Sequence, residues 1–335
     1  MLEEIQQIEK LIQELGPLAR TEVLAYSQGG GLRLPIYKLS FGSEDPQAPT
    51  AGFIGGVHGL ERIGSQVCLS LLRSFAERLL WDEGLKESLK KLRVFFIPVV
   101  NPLGILGKTR SNPQGVDLMR NAPVEAENPP RFLGGHRYSA KLPWYRGPAG
   151  APMEIEAQAL VDGVKKELFF SRLGITVDFH SGFGWQDQIW FPYAKTTKPF
   201  PGLAQAHAFK SLFDRTYPYH FYRIEPQALN YTTHGDLWDY LYDQYTESGR
   251  PGGLYLPLCL EMGSWMWLKK NPWQLFRLQG HFNPVKFHRM KRTLRRHNTF
   301  FEFILRAALS PQSWAELSEE QRLKHLSLAQ ELWYA

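Results

Sequence analysis

Ala51-Gly52-Phe53-Ile54-Gly55-Gly56-Val57-His58-Gly59-Leu60-Glu61 is the stretch that sets the architecture. Its first seven residues are small or apolar with no polar alternation, the pattern of a strand buried on both faces of a parallel sheet. The chain then turns through a histidine and a glutamate three residues apart. The same form recurs downstream. Leu92–Val100 is a continuous apolar strand, Ile175–Phe179 is another that ends at His180-Ser181-Gly182, and Leu254–Leu260 ends at Glu261. Ile63–Leu80 and Glu154–Leu173 have helical periodicity between them. Strand alternating with helix predicts an α/β fold, a three-layer α/β/α sandwich around a central mixed, mostly parallel sheet. Ligands of open α/β sheets sit outside the carboxyl ends of the strands. Three of the apolar strands here end in an ionisable residue at that edge.

Working outward, Leu32–Phe41 alternates as a further strand and Ser43–Pro49 is a polar turn. Ile5, Ile8, Ile12 and Leu15 give an N-terminal amphipathic helix over residues 2–15, closed by Gly16-Pro17. Phe287–Leu309 and Trp314–Trp333 read as terminal helices within 283–333. Asn101–Gly150 is rich in Pro, Gly and Arg and too long for a bland loop, which points to function. No repeat or linker interrupts the 335 residues, so one domain over 1–335 is expected.

An apolar share of 43% with 13% aromatics excludes a disordered chain. No run of some eighteen apolar residues predicts a membrane span, and Met1–Gln7 lacks the order of a secretory signal. With Cys68 and Cys259 as the only cysteines, a reducing compartment is expected, and we place the chain in the cytoplasm. Net charge is +6. The basic run Lys286, Arg289, Lys291, Arg292, Arg295 and Arg296 is expected to be a solvated helix face, with Phe287, Met290, Leu294 and Phe301 turned inward. No nucleic-acid or membrane partner is expected, and the oligomeric state is left open.

His58 and Glu61 on one turn let an imidazole and a carboxylate converge on one ion, and His180 lies 122 residues on, at the end of another strand. Two His and one Glu leave a fourth position open, the layout of a catalytic zinc site, and imidazole favours zinc over magnesium. Taken alone, His58 reads first as a capping or core histidine, and the case for a ligand rests on the motifs downstream of it.

After a buried strand comes Asn101-Pro102-Leu103-Gly104, and then Arg110-Ser111-Asn112-Pro113-Gln114-Gly115-Val116-Asp117-Leu118-Met119-Arg120-Asn121. With His58-x-x-Glu61, His180-Ser181 and the late Glu261, this order resembles the zinc carboxypeptidases, the carboxypeptidase A-like metallopeptidases, in a bacterial-type member. The resemblance runs from about residue 51 to 263. It implies one zinc ion on His58, Glu61 and His180, with Asp117 orienting the first histidine. It implies Arg110 on the scissile carbonyl, Glu261 as general base and acid, and Arg120 with Asn121 on the terminal carboxylate of the substrate. Tyr231, eight residues before Asp239, matches the mobile substrate-binding tyrosine, with Tyr240 and Tyr242 as rivals. Trp238 and Asp236 lie near the position of side-chain specificity.

The implied activity is a zinc metallocarboxypeptidase that hydrolyses an amide bond near a free carboxylate. Met119 stands where the family has Asn, and Leu103 replaces an Asp. The Met119 departure keeps a second activity open, a deacylase or amidase of small N-acyl amino acids, as in the aspartoacylase and succinylglutamate desuccinylase group, or a cell-wall peptide amidase. The partner is in each case a peptide or N-acyl amino acid. The insertion Asn128–Pro148, with Arg131, Arg137 and Arg146, is expected to be a lid or subsite wall. Phe183–Phe191 is read as a pocket lining or as core aromatics. Asp178 and Cys259 share strand faces with His180 and Glu261, which offers Asp178 as a partner of the histidine and Cys259 as a residue lining the site, though sheet packing is the favoured expectation for both.

Overall fold

The computed structural model describes residues 2–248, 253–276 and 278–335. Its strands are β1 (Arg20–Gly29), β2 (Leu32–Gly42), β3 (Thr50–Gly55), β4 (Arg93–Ile97), β5 (Leu173–Ser181), β6 (Gln188–Phe191), β7 (Arg223–Pro226) and β8 (Leu254–Met262). They form one sheet in the order β1-β2-β4-β3-β5-β8-β6-β7. β3 is parallel to both β4 and β5, and β5 is parallel to β8. β6 joins β8 antiparallel, β7 runs parallel to β6, and β1 and β2 close the far edge antiparallel. The expected mixed α/β sheet is therefore present.

The helices are α1 (Glu3–Leu15), α2 (Arg62–Leu79), α3 (Glu83–Leu89), α4 (Pro102–Gly107), α5 (Ile155–Leu168), α6 (Leu203–Thr216), α7 (Leu237–Glu247), α8 (Trp265–Lys270), α9 (Phe287–Arg296), α10 (Asn298–Leu309) and α11 (Glu319–Tyr334). α1 and α9 pack on α2, which lies on β3 and β5, and α5 touches α7.

β3, β4 and β5 are buried throughout, as their unbroken apolar runs require. Small residues in β3 make room for large neighbours: a Cβ on Gly52 would lie 2.2 Å from the Phe95 ring. In α2, a Cβ on Gly64 would lie 2.2 Å from the Phe179 carbonyl, so this helix rests directly on β5. Phe41, Phe53, Phe75, Phe96 and Phe301 meet edge-on and tilted, with centroids 4.6–6.2 Å apart. These rings tie α2 and α10 to the sheet.

β3 lies between β4 and β5, so the connections leaving it and returning to its far side part above its carboxyl end. That is the switch point at which open sheets hold ligands. The turn 56–61 begins there.

Some boundaries differ from expectation. The Phe287–Leu309 helix is two helices broken at His297, which is fully buried and hydrogen-bonded to the Tyr222 hydroxyl at 2.9 Å. Phe287, the first residue of α9, is 64% exposed rather than turned inward, whereas Met290 and Leu294 pack against the core, Thr293 is buried between them and Phe301 is buried, as expected for the other three. The last helix starts at Glu319 rather than Trp314, where Ser318 and Gln321 form a capping box. The Glu154–Leu173 helix ends at Leu168, and Leu173 already belongs to β5. The strand Arg20–Gly29 and the short strands β6 and β7 come in addition to the expected elements.

α11 is held to α6 partly by a histidine pair, His207 and His325, whose Nδ1 atoms lie 2.8 Å apart. Burial, then the facing His325, pushes the His207 pKa down to about 4, and burial pushes His297 down to about 3. A depressed folded-state pKa gives stability that is present above the unfolded value, roughly 6.5, and lost as pH falls through the folded one. The melting temperature is therefore expected to fall between pH 7.5 and pH 5. His207→Gln should flatten that slope in a thermal unfolding series.

Candidate metal centre and active site

Three chain segments deliver the cluster. Glu61 lies just before α2, and its backbone N–H bonds to the His58 carbonyl at 3.2 Å, which folds the His-x-x-Glu turn on itself. His180 lies within β5, beside Glu261 of β8 in register. His58 Nδ1 is 2.8 Å from Glu61 Oε1, and His180 Nδ1 is 3.1 Å from Glu61 Oε2. One ligand atom from each residue lies within 4.8 Å of the others, and all three side chains are buried.

The outer nitrogens are also committed. His58 Nε2 lies 3.0 Å from Asp117 Oδ1, and His180 Nε2 lies 2.7 Å from Asp178 Oδ2. Each imidazole is therefore clamped by a carboxylate on its far side and turns Nδ1 inward, the arrangement that fixes a ligand histidine's tautomer and makes it a better donor. The Trp238 indole N–H holds Asp178 Oδ2 at 3.0 Å. Two imidazoles and one carboxylate, dry and converging, fit a zinc ion better than magnesium. Asp178, expected to be a packing residue, is instead the partner of the second histidine. Asp178→Asn is expected to weaken zinc binding by about 10- to 100-fold, measured by competition with a chelator.

Charge accumulates at one point. Burial alone would raise the Glu61 carboxyl, but His58 and His180 outweigh it and hold the group well below the usual range. Asp117 is likewise held down against burial by Arg110 and His58. Arg110 donates to Asp117 Oδ2 at 2.8 Å and to Glu61 Oε1 at 3.0 Å, which fixes its guanidinium at the pocket wall. Glu261 differs. Burial, then the Glu61 charge, pushes its carboxyl up to about 8, and its one backbone donor among the described residues is the Phe183 N–H at 3.0 Å. A cation in the adjacent cluster would draw this value back down.

These groups open into a pocket of about 400 Å³ that also holds Arg120, Tyr231, Trp190, Cys259 and Phe282. Arg120 is buried, and among the described residues its guanidinium donates to the Leu133 and Met119 carbonyls, each at 3.4 Å, and to the Tyr231 hydroxyl. No carboxylate among the described residues pairs with it. The Tyr231 ring faces Arg120 with 6.0 Å from guanidinium to centroid. The rivals are elsewhere: Tyr242 is buried against Phe200 and Tyr193, and Tyr240 lies beside Lys165.

Among known proteins, the family model described as zinc carboxypeptidase matches residues 8–250. The chain belongs to the zinc carboxypeptidase family. Mouse carboxypeptidase A4 is 25% identical over 239 residues, covering 66% of this chain and 51% of that protein. The chain thus spans about half the length of that curated relative. Carboxypeptidase A from Helicoverpa armigera superposes with a TM-score of 0.65 at 15% identity, over 92% of this chain and 72% of that one. Bovine thrombin-activatable fibrinolysis inhibitor gives 0.64 at 17%, over 92% and 98%. At these identities the structures establish a shared carboxypeptidase A-like fold.

The fold brings together eight of the nine site residues singled out from the sequence. Asn121 is the exception. Its amide donates to the Arg146 carbonyl at 3.0 Å and accepts from the Glu154 N–H at 2.6 Å, so it ties loops together away from the pocket lining. The insertion does form a wall, through Leu133, Pro143 and Trp144. Its arginines do not reach the cavity: Arg146 is locked onto Glu125, and Arg137 onto the Gly147 and Pro148 carbonyls. Asp236 caps α7, and Trp238 supports Asp178, so neither lines the pocket. Trp190 does line it, opposite Cys259 across the β6–β8 ladder. The strand is too short to show in periodicity, but Trp190 and Cys259 both take the pocket-lining alternative that the sequence left open.

Proposed function

We propose that this zinc carboxypeptidase removes a residue from the carboxyl end of a peptide by hydrolysing the amide bond next to the free carboxylate. The observation that carries the reading is Arg120, a buried guanidinium without a carboxylate partner among the described residues, in the same cavity as the metal cluster and Glu261. A buried cation left with weak carbonyl contacts suits an incoming anion, and a guanidinium holds a carboxylate through two parallel bonds.

His58, Glu61 and His180 would hold one zinc ion, which supplies Lewis acidity to polarise the scissile carbonyl and acidify water. Arg120 fixes the terminal carboxylate and so sets which amide is presented. Glu261 takes the proton of the attacking water and returns it to the leaving nitrogen, work suited to a carboxyl whose pKa is tuned by burial. Arg110 donates to the oxyanion as the carbonyl becomes tetrahedral. Tyr231 covers the bound end with its ring.

A second reading, deacylation of small N-acyl amino acids, uses the same carboxylate contact. Met119, buried beside Arg120, favours it by offering no amide to that carboxylate. The test is a matched set of substrates with zinc content measured alongside. Release of the last residue from a hippuryl-type peptide, and none from its C-terminal amide, is the expected result. Turnover of N-acetyl amino acids alone would decide for the deacylase. A preparation that binds no zinc, and hydrolyses neither substrate when zinc is added, would overturn both.

A further inference from the structure

Residues 262–301 contain nine Lys and Arg and not one Asp or Glu, so against the chain's +6 the remaining residues carry a net charge of −3. The entire positive excess of the protein is concentrated in α8, α9 and the chain between them. Much of it faces one cavity of about 370 Å³, lined by Lys270, His288, Arg289, Arg292 and Arg296, with Asp187 as the one acid. Asp187 is 3% exposed and already taken, by Arg296 at 3.2 Å and by the Gly263 N–H at 3.1 Å. Arg289 is tied to the Trp267 and Lys270 carbonyls. Lys270 and Arg292 are exposed and form no ion pair among the described residues. Clustered cations without counter-charges create a field that attracts anions.

This cavity adjoins the catalytic pocket. A single partition separates them, made of the segment 182–187 and the turn that follows Glu261. Phe183 lines the catalytic side and Trp185 the basic side. Trp265 bridges them, with ring centroids 5.3 Å from Phe183 and 5.6 Å from Trp185. Phe282, on the connection between α8 and α9, lines the catalytic pocket itself, so the basic segment runs into its wall.

Resting on the carboxypeptidase reading, we propose that the basic cavity is a second recognition site for the same substrate. It receives acidic side chains upstream of the carboxyl end, so the preferred substrates are peptides with acidic tails. Arg120 anchors the terminal carboxylate and the cavity selects the upstream charge.

The test uses the full zinc-loaded chain and two peptides with identical final residues. One carries Glu and the other Gln at the three upstream positions. At low salt kcat/KM is expected to be about fivefold higher for the Glu peptide, since exposed charge pairs contribute modestly, and the preference should fade near 0.5 M salt. In a Lys270→Glu/Arg292→Glu double variant the ratio of the two rates should drop to one or below. A ratio is read because a general loss of activity leaves it unchanged. Equal rates in the unaltered protein would overturn the proposal, as would a preference that survives the double variant. Equal rates together with capture on phosphatidylserine vesicles would assign this surface to a membrane instead. If neither peptide is cleaved, the carboxypeptidase reading itself fails, an outcome distinct from cleavage without preference.

Discussion

Glu261→Gln is expected to lower kcat by roughly 10²- to 10⁴-fold, the contribution of a positioned general acid–base group, while zinc content stays the same. The separation follows from the geometry. Glu261 is outside the converging trio of His58, Glu61 and His180, so the ion keeps its ligands. The amide oxygen of Gln can still accept the Phe183 N–H, the one backbone bond the carboxylate makes, so local structure is retained. What disappears is the ability to take a proton from water and hand it on. Steady-state rates beside elemental analysis of the same preparation read both quantities. Activity within tenfold of the unaltered protein would remove Glu261 from the chemistry.

Arg120→Met should be nearly as damaging, in a different parameter. Truncating one partner of a buried charge contact costs about 2–5 kcal/mol, or at least roughly 30-fold in affinity. The loss should appear chiefly in KM for peptides with a free carboxyl end. Amidated peptides, poor substrates from the outset, should be unaffected, so discrimination between acid and amide collapses. Among the described residues Arg120 is held by two carbonyls at 3.4 Å and by the Tyr231 hydroxyl, with no ion pair, so the melting temperature should change little. An unchanged KM for the free acid would place carboxylate recognition elsewhere.

The readable part of this protein lies where local chemistry and sheet position coincide. Small-residue strands that run straight into a polar turn have few alternatives, so 51–61, 175–181 and 254–261 disclose both the sheet centre and the residues on its rim. Their order along the chain is enough to name the family. Legibility ends where the signal is short or shared. β6 and β7 have four residues each, below the length at which periodicity speaks. Phe287 fits an inward position on the same helical pattern as Met290 and Leu294, but as the first residue of α9 it stays at the surface while they pack on the core.

Asp178 shows the remaining division. Its place two residues before His180 puts both on one strand face, and that much is fixed by the period of a strand. Whether its carboxylate packs or grips the imidazole depends on where Trp238 arrives from a helix sixty residues later, and only the folded chain brings them within 3.0 Å. Asn121 shows the converse: beside Arg120 in the motif, it is turned away by loop backbone that needs an amide on both sides. The primary structure thus determined which ionisable groups reach the rim of the sheet, because burial on both faces leaves a strand no other exit. The tertiary structure decided which of them face one another, because side-chain direction in a loop is set by distant donors and acceptors that spacing does not encode.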